Sequence, residues 1–212
     1  MIYLLGFIPI LFAVLAYKKG YLLYKVSVTL SCILICVISY MENKGNVSIF
    51  FIIIAFVFSI IGDIFLSNRK VNNYFYLYGI ISFFLAHLFY LSFMLSHGKI
   101  NVIMLLTLLF IYSIYFTYKI FPALKDIKMI FAIIFYILIS CLTLSSSIGL
   151  NTNGITKLLT VSGISLILIS DTIIAEKDFI GKKKYSKLIL PTYYMSHILI
   201  TYAVIFLYKY NS

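Results

Sequence analysis

Apolar runs of about twenty residues, separated only by short clusters of charge, recur along all 212 residues of this chain. A helix rising ~1.5 Å per residue needs about twenty apolar residues to cross the ~30 Å hydrocarbon core of a bilayer. The runs predict eight transmembrane helices, at 2–17, 22–41, 47–67, 74–96, 100–118, 127–149, 156–175 and 188–208. The fold class is therefore all-α, a polytopic membrane protein. Composition excludes a soluble alternative: 63% of the residues are apolar and 11% charged, where a soluble domain carries roughly one-quarter charged residues. The loops are too short to fold alone, so 1–212 reads as a single membrane domain whose sites are built by helices and their ends.

Basic residues set the expected orientation. Lys18, Lys19, Lys25, Arg69, Lys70, Lys119, Lys125, Lys128, Lys177, Lys182, Lys183, Lys184 and Lys187 flank the odd-numbered connections; Lys44, Lys99, Lys157 and Lys209 lie on the other side. The positive-inside rule then puts the odd loops in the cytoplasm and both termini outside, in a bacterial-type cytoplasmic membrane. The net charge of +11 is accounted for by topogenic lysines and attraction to anionic lipid, so no nucleic-acid partner is called for. The first span has no basic residue before it and Lys18 and Lys19 after it, the reverse of a cleavable signal, and is expected to be retained. Cys32, Cys36 and Cys141 form neither a disulfide framework nor a CxxC motif, and read as packing residues.

Against this apolar background, Asp63 in the third span and Asp171 in the seventh stand out, in a chain with only six acidic residues. An ionised carboxylate in hydrocarbon costs several kcal/mol, so each must face a bundle interior or wet cavity, be paired, or stay protonated. Both lie four residues from the cytoplasmic end of their span, about 6 Å deep at 1.5 Å per residue. Tyr193, Tyr194 and His197 on the last span rise from the same side, with His87 deeper. A polar pocket near the cytoplasmic leaflet follows.

Two sequence patterns support the pocket. Gly62-Asp63 precedes Ala86-His87-Leu88, and Ser170-Asp171 precedes Ser196-His197-Ile198, at similar spacing; this suggests a parallel repeat of four plus four helices, with halves 1–98 and 99–212. Tyr136, Ser140, Thr143 and Ser147 recur at helical spacing on the sixth span, as do Tyr194, His197 and Thr201 on the eighth. Such stripes face inward, where hydroxyls also serve simply to hold helices together. His97, beside Gly98 and Lys99, reads as an interfacial residue. No HxxxH or HExxH spacing occurs, so no dedicated zinc site is expected.

Gly62-Asp63-Ile64-Phe65-Leu66, then Gly79, Phe83, His87 and Tyr90, then Gly163, Ser170-Asp171-Thr172 and Phe179, then Pro191 with Tyr193-Tyr194, resemble in order and spacing the YhhN-like membrane family that includes the lysoplasmalogenases. The resemblance covers most of the chain, with His197 standing where the family's pattern has Gln. It implies hydrolysis of the vinyl ether bond of a lysoplasmalogen to a fatty aldehyde and a glycerophospho-headgroup alcohol. On this reading Asp63 and Asp171 are catalytic, and the leaning is towards Asp63 as acid and Asp171 as stabiliser or base. His87, Tyr90, Ser170, Tyr193, Tyr194 and His197 support substrate or water. Arg69, Lys70, Lys182, Lys183 and Lys184 attract the phosphate headgroup. The partners are the lysophospholipid with its vinyl ether chain and membrane lipid; no cofactor is required.

Two other classes fit part of the pattern. Paired intramembrane carboxylates in a repeat also describe a proton-coupled transporter or lipid flippase, although spans three and seven lack the Pro breaks of discontinuous transporter helices, Pro occurring only at 9, 122 and 191. A metal-dependent lipid hydrolase would use His87, His197, Asp63 and Asp171 together.

Overall fold

Short polar connections set where the helices begin and end. Asn46, Asn101, Asp126 and Asn153 each accept a hydrogen bond from a backbone N–H two or three residues on, satisfying a donor that the first helical turn leaves orphaned. In the computed structural model, which describes residues 5–43, 45–69, 71, 72 and 74–209, the helices are α1 (Phe7–Lys19), α2 (Leu22–Glu42), α3 (Val47–Ser67), α4 (Tyr74–Leu95), α5 (Val102–Tyr115), α6 (Ile127–Ile148), α7 (Gly154–Phe179) and α8 (Ile189–Lys209). Gly20 closes α1 at φ 68°, a left-handed conformation that glycine enters without a Cβ clash.

Among the described residues, seven segments are long and apolar enough to cross a membrane. The expected first span is the exception. As described, α1 has 13 residues, about 20 Å at 1.5 Å per residue, short of the hydrocarbon thickness; residues 1–4 lie outside the described set. Two other boundaries differ from expectation for local reasons. The fifth span stops being α-helical at Tyr115 and continues as a π turn, Phe116–Ile120, and a 3-10 turn, Phe121–Ala123. Pro122 lacks an N–H and clashes with the carbonyl four residues back, so the α pattern cannot run through it. The seventh helix runs to Phe179 rather than 175, because Glu176 and Lys177 are good helix formers and leaving the hydrocarbon does not require leaving the helix.

Six helices close a ring in the order α2, α3, α4, α6, α7, α8 and back to α2; α1 lies outside it against α2 and α8, and α5 outside it against α6. Asp63 on α3 and Asp171 on α7 therefore sit on opposite members of the ring. The closest helix pairs, α3/α4 and α7/α8, are drawn together by small residues. A Cβ on Gly62 would stand 2.8 Å from the Phe83 ring, and one on Gly163 would stand 2.8 Å from Ile200 and 3.1 Å from the Ser196 carbonyl oxygen. Without a hydrophobic force between helices in lipid, such close backbone approach is what holds them. Large residues that point outward, Ile103, Phe110 and Leu158 among them, are what lipid-facing positions require.

Candidate active site

The carboxylate of Asp171 is the most organised polar group in the bundle. The Tyr136 hydroxyl on α6 donates to its Oδ2 at 2.5 Å, and the His87 ring on α4 brings Nε2 to 3.8 Å from the same oxygen. Its side chain is 15% exposed, and that exposure opens into a cavity of about 720 Å³, mouth included, between α4, α5, α6 and α7. Apart from Asp171, Tyr76, Tyr112, Tyr115, Tyr136, Ser140 and Thr172, the walls are aliphatic or phenyl side chains such as Leu66, Ile80, Phe83, Ile133, Ile137 and Leu168. Such a space suits hydrocarbon with one polar function at its edge.

Hydroxyl protons fix the tautomer of His87. Thr143 has one proton, which its Oγ1 gives to the Ile139 carbonyl at 2.8 Å, with the His87 carbonyl a longer alternative at 3.4 Å. Either way its oxygen can only accept at the His87 Nδ1 contact of 3.3 Å, so Nδ1 carries the hydrogen. The remaining nitrogen, Nε2, is buried, has no hydrogen-bond partner in the protein and faces Asp171. It is placed to take up or share a proton on the side of the carboxylate. By the same counting Thr172 donates to the Leu168 carbonyl and accepts from the Tyr112 hydroxyl at 3.0 Å, which ties α5 to α7 beside the cavity.

Asp63 lies in a second polar cluster on the far side of the ring. Its electrostatic neighbours are Lys25 on α2, the Tyr193 hydroxyl on α8 and Asp171. Asp63 Oδ2, the hydroxyls of Tyr193 and Tyr194, and His197 Nε2 are all buried without a hydrogen-bond partner in the protein. His197 meets Thr29 of α2 through Nδ1 at 3.0 Å and packs against the Tyr193 ring at 4.4 Å and the Phe56 ring at 4.9 Å. A cluster of unpartnered buried polar atoms is unusual in a folded interior and marks a place for water or ligand groups.

Two rings stand between the clusters, Phe83 and Tyr90. Phe83 lines the Asp171 cavity, lies over Gly62 and meets Tyr193 edge-on at 6.0 Å. The cavity therefore brings Asp171 together with Tyr136, Ser140 and Thr172, whereas Asp63, Tyr193, Tyr194 and His197 are not among its lining residues. Tyr90 is buried between the clusters, edge-on to both Phe56 and His87 at 6.1 Å, its hydroxyl unpartnered. Ser170 turns away and donates to the Ile189 carbonyl at 3.2 Å, a packing contact between α7 and the start of α8.

Of the expected headgroup cations, Arg69 and Lys183 line a second, more open cavity of about 700 Å³, together with Lys177 and Asp178. Lys182 instead faces Glu176 at 4.0 Å, Lys184 lies over the Tyr185 ring at 5.1 Å, and Lys70 is outside the described residues. Arg69 is ion-paired with Asp178 and stacked over the Tyr76 ring at 5.8 Å. Sequence reasoning missed Asp178, Tyr76 and Tyr112. The available signal for Asp178 was its place seven residues after Asp171, two helical turns on the same face once α7 runs through it.

Among the described residues no three His, Cys, Asp or Glu side chains come together as a metal-ligand set. Comparison with curated proteins and with solved structures found no match. The model of the YhhN family matches residues 20–204, which takes in the ring of six helices, both aspartates and the two cavities, and the chain belongs to the YhhN family.

Proposed function

We propose that this protein is a membrane-embedded hydrolase that cleaves the vinyl ether bond of lysoplasmalogens. The observation that carries the reading is Asp171: a carboxylate held by a tyrosine hydroxyl at 2.5 Å, opening into a largely apolar cavity between helices. Family membership supports it at the level of the YhhN family. Vinyl ether hydrolysis starts with proton transfer to the β-carbon, giving an oxocarbenium ion. Water adds to the α-carbon, and the resulting hemiacetal collapses to an aldehyde and an alcohol. The protein must supply one proton, stabilise one cation and accept one proton from water.

Asp171 suits the anionic role. Tyr136 donates to its Oδ2, and an anion there faces the developing oxocarbenium charge as carboxylates do in glycosidases. His87 Nε2 stands beside it to receive the proton released by water. Asp63 is given the acid role as the more enclosed of the two carboxyls: its Oδ2 is buried, with the Tyr193 hydroxyl and Lys25 among its polar neighbours. For its proton to reach the β-carbon, the Phe83 ring that stands between the cavity and the Asp63 cluster must swing aside and let the vinyl group meet the carboxyl. In the membrane, the odd connections lie in the cytoplasm, and the site lies near the cytoplasmic leaflet.

The two halves are treated as a parallel repeat, and the histidine contacts support that reading: His87 of α4 meets Thr143 of α6, and His197 of α8 meets Thr29 of α2. The decisive experiment incubates purified protein in detergent with a lysoplasmenyl lipid and with its ester-linked counterpart. Free aldehyde should appear from the first alone and be lost in Asp171→Asn. No aldehyde from the wild type, or full turnover by that variant, ends the proposal.

A further inference from the structure

The two cavities share Tyr76 and Phe179, whose rings meet edge-on at 5.5 Å and form a collar between them. On one side the space is apolar and contains Asp171. On the other it is open and charged, with Arg69, Lys177 and Lys183 against a single carboxylate, Asp178. That carboxylate does not face the cavity as a free anion. It is 11% exposed and ion-paired with Arg69, which is 31% exposed, so the best phosphate-binding side chain of the three is already engaged by an internal acid. Arginine binds carboxylate and phosphate with the same planar fork of donors, so the two anions compete for it.

Spacing ties this charged cavity to the apolar one. Asp171 and Asp178 are seven residues apart on one helix, so they lie on the same face about 10 Å from each other at 1.5 Å per residue. In a glycerol lipid with an ether chain at one end and phosphate at the other, six bonds separate the ether-bearing carbon from phosphorus. Extended, that is about 7 Å at ordinary bond lengths. A chain that places its ether carbon at Asp171 carries its phosphate through the collar to within reach of Arg69, Lys177 and Lys183.

We propose that the basic cavity is the seat for the phosphate of a single-chain glycerophospholipid, and that Asp178 is its built-in competitor, holding Arg69 until the phosphate displaces it. The placement of the ether at Asp171 rests on the hydrolase reading; the phosphate seat and the role of Asp178 do not. Arg69, Lys177 and Lys183 bind the phosphate, and Asp178 tunes selectivity for it without touching the bond that reacts.

Binding to the full-length protein in dodecyl maltoside tests this with a saturated alkyl-ether lysophosphatidylethanolamine, which lacks the double bond and cannot be cleaved by protonation. The comparison ligands are the matching alkylglycerol, which has the chain and no phosphate, and inorganic phosphate, which has no chain. Asp178→Asn should tighten the phospholipid about fivefold, and Lys183→Gln should weaken it about fivefold, each the worth of one partly exposed ion pair. Neither should move the alkylglycerol, and inorganic phosphate should bind far more weakly than the phospholipid. The proposal is overturned by an alkylglycerol that binds as tightly as the phospholipid, by inorganic phosphate that does so, or by phospholipid affinity that is unchanged or weaker in Asp178→Asn. Lys183 is exposed, so Lys183→Gln keeps the test alive if Asp178→Asn fails to fold; unchanged affinity there is equally fatal. Failure of the hydrolase reading looks different: no aldehyde from the vinyl ether lipid while these binding differences persist.

Discussion

Tyr136→Phe isolates the interaction on which the mechanism leans. The substitution removes one oxygen and leaves the ring, so the edge-on contact with His87 at 5.4 Å is kept and little packing is lost. What disappears is the donor to Asp171 Oδ2 at 2.5 Å. A hydrogen bond to a charged group contributes about 1.5–3 kcal/mol, and the Asp171 side chain, 15% exposed, is dry enough that screening takes little of it. If Asp171 must be anionic when the oxocarbenium ion forms, that energy is missing from the transition state. At about 1.4 kcal/mol per factor of ten, kcat should fall about 10- to 150-fold. KM should hold, since the substitution keeps the Tyr136 ring that lines the cavity. The assay is aldehyde release from a lysoplasmenyl lipid, coupled to an alcohol dehydrogenase, with thermal unfolding in the same detergent to show that the variant is intact. A folded Tyr136→Phe protein with kcat within twofold of the wild type would mean that Asp171 does not act as an anion.

Asp63→Asn should abolish turnover at wild-type expression, because Asn keeps the shape and cannot deliver a proton; retained activity measured by aldehyde release would leave Asp171 working without it. Thr143→Val removes the acceptor that holds the His87 hydrogen on Nδ1, so kcat should drop roughly fivefold, the value of one neutral hydrogen bond of about 1 kcal/mol, with KM unchanged in the same assay. Gly163→Ala must push against the Ser196 carbonyl oxygen at 3.1 Å and should cost about 1–3 kcal/mol, seen as a lower unfolding temperature, whereas Gly154→Ala, which meets nothing within 4 Å, should leave that temperature unchanged or raise it. A cysteine introduced at 183 should be shielded from an impermeant thiol reagent in intact cells and one at 151 should react; the opposite pattern reverses the orientation.

Much of the site was legible because membrane chemistry makes polar residues conspicuous. Asp63 and Asp171 stand out on cost alone, and the stripe of Tyr136, Ser140 and Thr143 declares a face by its period. In the structure all three are engaged at the cavity or its histidine: Tyr136 and Ser140 line it and Thr143 receives His87. Periodicity names the face of a helix but not the helix that meets it. The pairing of His197 with Thr29, 168 residues apart, depends on α8 closing the ring against α2, and the pairing of Arg69 with Asp178, 109 residues apart, depends on how the α3–α4 connection meets the last turn of α7. The cavity was hidden for a related reason. It lies beside the ring, under α5, rather than at its centre, and α5 itself reads as an unremarkable apolar run until Pro122 breaks its end.

The differences between the two halves of the chain bear most directly on the proposed function. In each half the histidine is fixed through Nδ1 by a threonine on the ring helix that follows it, and the aspartate sits on the helix before. The surroundings then part. α6 offers Asp171 a tyrosine hydroxyl, while α2 sets the cation Lys25 near Asp63. α5 stands off from α7 and leaves a cavity beside Asp171, whereas on the other side Phe12, Ala13 and Ala16 of α1 pack against the cluster of Tyr193 and Tyr194. Asp171 borders the large cavity; Asp63 is not among its lining residues. The proposed division of acid and base work between two like carboxyls requires that their surroundings differ, and a bundle in which one outer helix fills the space and the other leaves it open supplies that difference from the packing itself.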